Sequence, residues 1–326
     1  MKLILEWDWK KQGLIMIKFF VKYYFLLLLT VILLKLVFGR PISENPTLKP
    51  SDTSTTPFSR IESFENSASF NSVSQQEARL FLLEDSDNYV QSMSKSDLHA
   101  RKVTCQEAYR LKGYYDVLEP SSEQISILQE ACRQADAFFA SYIVPEVRAN
   151  QNIYIENLNI IGYFDAEKAK KLVWNIVLMK DDYEEGLPHT RDKYIFIHPS
   201  LLKRSTKELV STLIHEKVHI YQRKYAKEET YIKPEERNGK LTDYMVSKMG
   251  FKRSKKRSDI SCDIRANPDL DEWIYINPKN NREMYLCYRS GNPTGINDII
   301  GDSKEEHPFE YIAYEIAKLY DNKTKN

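Results

Sequence analysis

Ser205-Thr206-Lys207-Glu208-Leu209-Val210-Ser211-Thr212-Leu213-Ile214-His215-Glu216-Lys217-Val218-His219-Ile220-Tyr221-Gln222 is the stretch on which the fold turns. His215 and His219 stand four residues apart with Glu216 between them, the pattern His-Glu-x-x-His. On a helix, positions i and i+4 lie one turn apart on the same face, so both imidazoles can address one metal ion. Glu216 then sits beside that ion, within reach of a proton on a bound water. The flanks predict the helix this requires. Ser205 with Glu208 three residues later reads as a capping box, and Glu208 suits the positive end of the helix dipole. Leu209, Val210, Leu213, Ile214 and Val218 carry an apolar stripe beside the histidines. Arg223, Lys224 and Lys227 gather toward the far end, where cations are favoured. Neither Gly nor Pro occurs between Ser205 and Ile232.

A chain of 326 residues holds one large domain or two small ones. Its 47 basic and 46 acidic side chains nearly cancel, so no overall field points to nucleic acid. The local exception, Lys252-Arg253-Ser254-Lys255-Lys256-Arg257, reads as a solvated loop.

The N-terminus departs from this average. Phe25 to Leu34 is apolar apart from Thr30, and Leu36 to Phe38 continues it beyond Lys35. Lys2, Lys10, Lys11, Lys18 and Lys22 precede it, against Glu6 and Asp8. By the positive-inside rule the N-terminus stays cytoplasmic and the remainder crosses. The expectation is a signal anchor over 1–40 and a single-pass membrane protein whose C-terminal domain is lumenal or extracellular. A signal peptide cut after Val37 and Gly39, giving a secreted protein, is the alternative. The stretch from Pro41 to about Ser74 is rich in Ser, Thr, Asn and Pro and reads as disordered. With a helix inside Gln75 to Met93, it forms a stalk over 41–100 ahead of a folded domain over 101–326.

Both placements face an oxidising compartment, where Cys105, Cys132, Cys262 and Cys287 can form two disulfides. Short loops favour Cys105 with Cys132 and Cys262 with Cys287. No pair has the C-x-x-C spacing of a cysteine zinc site.

Within 101–326, Ser121-Ser122-Glu123-Gln124 caps an amphipathic helix bearing Ile125, Ile127, Leu128, Ala131, Ala135, Phe138 and Phe139. Three β-like runs follow, Asn152 to Ile161, Leu172 to Met179, and Lys193 to His198 ending at Pro199. An extended peptide binds an exposed strand edge through main-chain hydrogen bonds. Tyr194 to Ile197 is the candidate edge, with an interior strand as its competing place. Further on, Trp273 to Ile276 and Arg282 to Tyr288 read as a hairpin across Asn277 to Asn281. His189 and His198 read as structural or surface residues.

A catalytic zinc site keeps three protein ligands and one open position, so His215 and His219 need a partner. The C-terminal run His307-Pro308-Phe309-Glu310-Tyr311-Ile312-Ala313-Tyr314-Glu315-Ile316-Ala317-Lys318-Leu319-Tyr320 supplies one on a helix with Pro308 in its first turn. Phe309, Ile312, Ile316 and Leu319 form its apolar stripe. Glu310, Ala313 and Ala317 share a face slim enough for close approach to a second helix. Glu305, Glu306, His307 and Glu315 are rivals to Glu310; Glu315, five residues on, points to another side.

His215-Glu216-x-x-His219 followed by Glu310-x-x-Ala313 on a later helix resembles the zincin metallopeptidases, and among them the gluzincins. The resemblance covers about Lys193 to Tyr320. It implies an α+β fold, with a small mixed or antiparallel sheet packed on an active-site helix and a C-terminal helix. It implies one Zn2+ held by His215, His219 and Glu310, and a peptide or protein substrate. Glu216 would be the general base, then the proton donor to the leaving amine. Gluzincins add a Tyr or His donor for the oxyanion, and Tyr285, Tyr288, Tyr311 and His307 are the candidates. The interval of 91 residues from His219 to Glu310 exceeds that of compact thermolysin-like members. After His219, Ile220-Tyr221-Gln222-Arg223 lacks the metzincin extension, so the subfamily stays open. A non-catalytic binding or structural module and another zinc-dependent amide hydrolase are the alternatives. Glu216, not needed as a ligand, favours the enzyme.

Overall fold

In the computed structural model, residues 70–141, 164–226, 246 and 249–324 are described. The first part contains β1 (Phe70–Ser72), α1 (Gln75–Glu84), α2 (Lys95–Ala100), α3 (Gln106–Asp116), β2 (Val117–Leu118) and α4 (Ser122–Ser141). Next come α5 (Ala166–Lys170), β3 (Trp174–Met179), β4 (His189–Arg191), β5 (Tyr194–Ile197) and α6 (Thr206–Ala226). The last part holds β6 (Lys252–Lys256), β7 (Trp273–Ile276), β8 (Glu283–Met284), β9 (Cys287–Tyr288), β10 (Ile299–Ile300) and α7 (Pro308–Lys323). The fold is mixed helix and sheet, α+β.

Every residue of β3, β4 and β5 is buried. Strands buried on both faces lack an alternating polar side, and such a sheet needs two covers. The main sheet runs β1-β3-β5-β4, with β2 also on β3. β1, β3 and β5 are parallel, and β4 closes the order antiparallel to β5. Alternation sorts the side chains. Trp174, Ile176, Leu178, Ile195 and Ile197 join a core with α4, α6 and α7. Val177, Met179, Tyr194 and Phe196 join a second core with α1 and the turns after it, through Phe81, Leu82, Tyr89 and Val90.

That second cover corrects the stalk expected over 41–100. Residues 70–100 form a strand and two helices packed on the sheet, because its far face would otherwise be bare apolar surface. Residues 41–69 lie outside the described residues, as does the strand expected from Asn152 to Ile161. The candidate edge is also corrected. β5 is interior, paired on both sides, and β4 is the outer strand. The hairpin forms as β7 and β8, and β6 pairs β7 from the other side. The basic cluster is therefore not a loop. Lys252–Lys256 is a strand whose cations find Glu283, Glu272 and the Trp273 ring.

Cys262 and Cys287 are disulfide-bonded, whereas Cys105 and Cys132 are free. The second expected pair fails because the two thiols belong to different places. Cys132 is buried in the core under α4, and Cys105 is the exposed N-cap of α3. The single-pass membrane expectation is corrected too. Among the described residues no helix is long and apolar enough to cross a membrane. The segment 1–40, on which that expectation rested, lies outside the described residues.

Candidate metal centre

α6 begins as its sequence predicts. Ser205 Oγ accepts from Glu208 N at 3.2 Å, and the Glu208 carboxylate accepts from Ser205 N at 3.2 Å. Leu209, Val210, Leu213, Ile214 and Val218 are buried in the first core, which fixes the helix's rotation on the sheet. α7 is capped by His307, whose Nδ1 accepts from Phe309 N at 3.1 Å, with Pro308 in the first turn. Ala313, Ile316 and Ala317 are buried where α7 meets α6. Lys207 Nζ donates to the Asp321 carbonyl at 2.9 Å, tying the start of α6 to the end of α7.

This antiparallel pairing delivers Glu310 to the two histidines. His215 Nε2 and His219 Nε2 are 3.1 Å apart. Glu310 Oε2 is 3.3 Å from His215 Nε2, and Oε1 is 3.7 Å from His219 Nε2. Zinc bonds of ~2.0–2.2 Å to a tetrahedral centre put neighbouring ligand atoms roughly 3.3–3.6 Å apart. The three separations bracket that value. Among the described residues this is the one His, Cys, Asp and Glu grouping with metal-binding geometry.

Groups behind the ligands hold them in place. His219 Nδ1 donates to Gln222 Oε1 at 2.8 Å, which leaves the Nε2 lone pair free for the centre. Gln222 Nε2 in turn donates to the Phe309 carbonyl at 3.1 Å, locking α6 to the first turn of α7. Asn267 Nδ2 donates to Glu310 Oε1 at 3.0 Å and to Glu306 Oε2 at 3.2 Å. Burial opposes ionisation of Glu310, but His219, His215 and Asn267 hold its carboxyl down to about 2.

Glu216 faces β4. Thr190 pairs with Ile195 in the ladder, so its side chain lies on the α6 side of the sheet. Its hydroxyl donates to Glu216 Oε2 at 2.7 Å and approaches the Glu216 carbonyl at 3.2 Å. Arg223, one turn after His219, donates to the Thr190 carbonyl at 2.7 Å and to Asp269 Oδ1 at 2.7 Å. The cation expected to serve the helix dipole thus ties the outer strand to the metal helix. Burial, then the nearby Asp269 charge, push the Glu216 carboxyl well above the ordinary carboxylate range.

The centre opens on a cleft of ≈ 660 Å³. His215 and Glu216 are on its floor and Gly186 to His189 form one rim. The chain enters that rim through three successive left-handed residues, Glu184 (φ 47°), Glu185 (φ 51°) and Gly186 (φ 73°). For Glu184 this conformation is unfavourable, and its carboxylate is held by Arg101 at 2.8 and 2.9 Å.

The rival ligands are not grouped with the two histidines. Glu306 pairs with Arg265 at 2.6 Å, His307 faces Asp271 at 3.0 Å, and Glu315, which lines the cleft, pairs with Lys318 at 3.7 Å. Glu305 does not line the cleft. None of the four expected oxyanion donors lines it either. Tyr288 donates to Asp97 Oδ1 at 2.9 Å, Tyr311 packs on Phe251, His307 caps α7, and Tyr285 is half-buried away from the cleft. Two phenols line the cleft: Tyr89, which donates to Glu184 Oε1 at 3.1 Å, and Tyr314, its ring edge-on to His215 with centroids 4.5 Å apart. Tyr314 is four residues after Glu310, hence on the same helix face, a signal present in the sequence. Gln222 carries a similar signal, three residues after His219. Thr190 and Asn267 carry none, since only the fold brings them near. His189 lines the cleft with its ring stacked on Phe196, and His198 caps the turn at Pro199–Lys203. Compared with protein-family models, curated proteins and solved structures, the chain matches none.

Proposed function

We propose that this chain is a zinc-dependent peptidase of the zincin type, gluzincin-like in its ligand set. The observation that carries the reading is the convergence of His215 Nε2, His219 Nε2 and a Glu310 oxygen at tetrahedral spacing, beside an additional buried carboxylate, Glu216. Among the described residues no fourth His, Cys, Asp or Glu completes the set. A structural zinc site is closed by four protein ligands, so three ligands opening on a cleft favour catalysis over a structural module.

Zinc held by His215, His219 and Glu310 would lower the pKa of a bound water toward ~7 and polarise a carbonyl oxygen. Glu216 takes up the proton that the attacking water loses and returns it to the leaving amine. Thr190 keeps the Glu216 carboxylate against α6 while it does so. Tyr314 is the phenol placed to donate to the oxygen of the carbonyl under attack.

The test is elemental analysis of the purified full chain with His219→Ala and Glu216→Gln, beside cleavage of a quenched peptide library. The expected result is about one zinc per chain, lost in His219→Ala and kept in Glu216→Gln. Activity should fall by ~10³-fold or more in both. Zinc kept in His219→Ala, or an active Glu216→Gln, would overturn the assignment.

A further inference from the structure

Glu216 and Arg223 stand seven residues apart on α6, two turns along one face of the helix. Thr190 of β4 spans that interval from the neighbouring strand. Its hydroxyl donates to Glu216 Oε2 at 2.7 Å, and its carbonyl accepts from Arg223 Nη2 at 2.7 Å. The same nitrogen donates to the Pro268 carbonyl at 2.6 Å and to Asp269 Oδ1 at 2.7 Å. One guanidinium nitrogen therefore gathers two segments distant in sequence, β4 and the Pro268-Asp269 step. Pro268 and Asp269 line the cleft together with His215 and Glu216.

β4 has a particular need for this grip. It is three residues long and, among the described residues, is paired on one side only, by β5. An outer strand so short has few ladder hydrogen bonds to fix where Thr190 meets α6. Arg223 supplies one from the metal helix itself, so the strand that orients Glu216 is tied to the helix that carries it. Thr190 is fully buried and Asp269 is buried, which keeps both contacts out of bulk water. A residue that only held the fold would act with no regard to whether Thr190 keeps its hydroxyl.

We propose, resting on the peptidase reading, that Arg223 is a positioning residue for the general base and acts on Glu216 through Thr190. Arg223 holds the Thr190 carbonyl, and the Thr190 hydroxyl then meets the Glu216 carboxylate in one orientation. Without the guanidinium the short strand can shift along α6, and the carboxylate can turn away from the proton it must accept.

The experiment is a double-mutant cycle in the zinc-loaded full chain, combining Arg223→Met with Thr190→Val. One readout is kcat and KM on a quenched peptide. The other is the affinity, by calorimetry, for acetohydroxamate, a zinc ligand that shares its proton with a neighbouring base. Each single variant should lower kcat by about tenfold with KM within about twofold, and weaken acetohydroxamate by about tenfold. The double variant should lose about as much as either single, because Arg223 has nothing to act through once the hydroxyl is gone. Thr190→Ser, which keeps the hydroxyl, should recover most of the loss. Zinc should stay near about one per chain throughout. Losses that multiply to about a hundredfold overturn the proposal. So does an Arg223→Met variant that is less stable to urea yet unchanged in both readouts. If the unmodified chain loads zinc and cuts no peptide, the peptidase reading fails alone, and the acetohydroxamate cycle still decides the role of Arg223. A chain that takes up no zinc defeats both.

Discussion

Two buried polar clusters face each other across the cleft, and they are built on opposite principles. Around Arg101, donors meet acceptors. Its guanidinium is bidentate to Glu184, Tyr89 donates to Glu184 at 3.1 Å, and Tyr109 donates to the same carboxylate. Tyr288 donates to Asp97 at 2.9 Å, beside the same guanidinium. Each charge is answered from within. Around His215, two imidazole nitrogens and a Glu310 oxygen converge on one another, while Gln222 and Asn267 serve their outer sides. Burying polar groups is costly unless they are paired. The first cluster meets that cost with a full set of donors and acceptors, whereas the second gathers three metal-ligating side chains at one point. Burial alone therefore does not mark a candidate site; the kind of side chain that converges does.

Breaking the closed cluster should have the largest effect on stability. Arg101→Met leaves Glu184 buried without its guanidinium, answered by the Tyr89 and Tyr109 hydroxyls, and should destabilise the fold by ~3–5 kcal/mol. Urea unfolding measures it. Burial pushes the Glu184 carboxyl up, but Arg101 chiefly holds it down to about 2, below the ordinary 4.5. A folded pKa below the unfolded one adds stability that is present above pH 4.5 and lost as pH falls toward 2. The gap between Arg101→Met and the unmodified chain should accordingly narrow between pH 7 and pH 3. A gap that stays constant would mean that Glu184 is not the linked group.

The open cluster should respond in activity rather than in folding. Tyr314→Phe removes a hydroxyl from the cleft and keeps the ring on His215. Turnover of a cleavable peptide should drop by ~10²-fold with zinc content unchanged. Unchanged turnover would remove Tyr314 from the chemistry. Asn267→Ala withdraws a hydrogen bond from Glu310 and should weaken zinc binding by ~10–100-fold in competition with a chelator. If Arg101→Met weakened zinc as much at a temperature where it stays folded, the two clusters would not be separate devices. The smallest effect belongs outside both. Cys105→Ser, at an exposed helix cap, should shift stability by no more than ~0.5 kcal/mol. In the folded chain iodoacetamide should label Cys105 and spare the buried Cys132.

The metal helix was legible because its information is local. Capping by Ser205 and Glu208, the stripe from Leu209 to Val218, and the four-residue interval of the histidines all lie within about five turns of one helix. Glu310 was legible for a similar reason: Pro308 and the small residues Ala313 and Ala317 described a helix able to approach another closely. None of the four expected oxyanion donors lines the cleft, whereas Tyr314, which does, follows Glu310 by one helical turn. The edge strand was misplaced because β4 is only three residues long and carries no alternation to announce it.

The amino-acid sequence by itself determined the helices over Ser122–Ser141, Thr206–Ala226 and Pro308–Lys323, the His-Glu-x-x-His pattern on the second of them and the approximate balance of charge. These depend on neighbours a few positions apart, whose geometry a helix repeats every turn. Tertiary structure alone decided that residues 70–101 cover the sheet and that Cys132 is buried away from Cys105. It also decided that Thr190, Asn267 and Arg223 gather behind the metal centre. Those contacts join positions far apart in the chain, 46 residues for Arg223 and Asp269 and 106 for Asp85 and Arg191. No local periodicity encodes them, because they follow from which faces must be buried together.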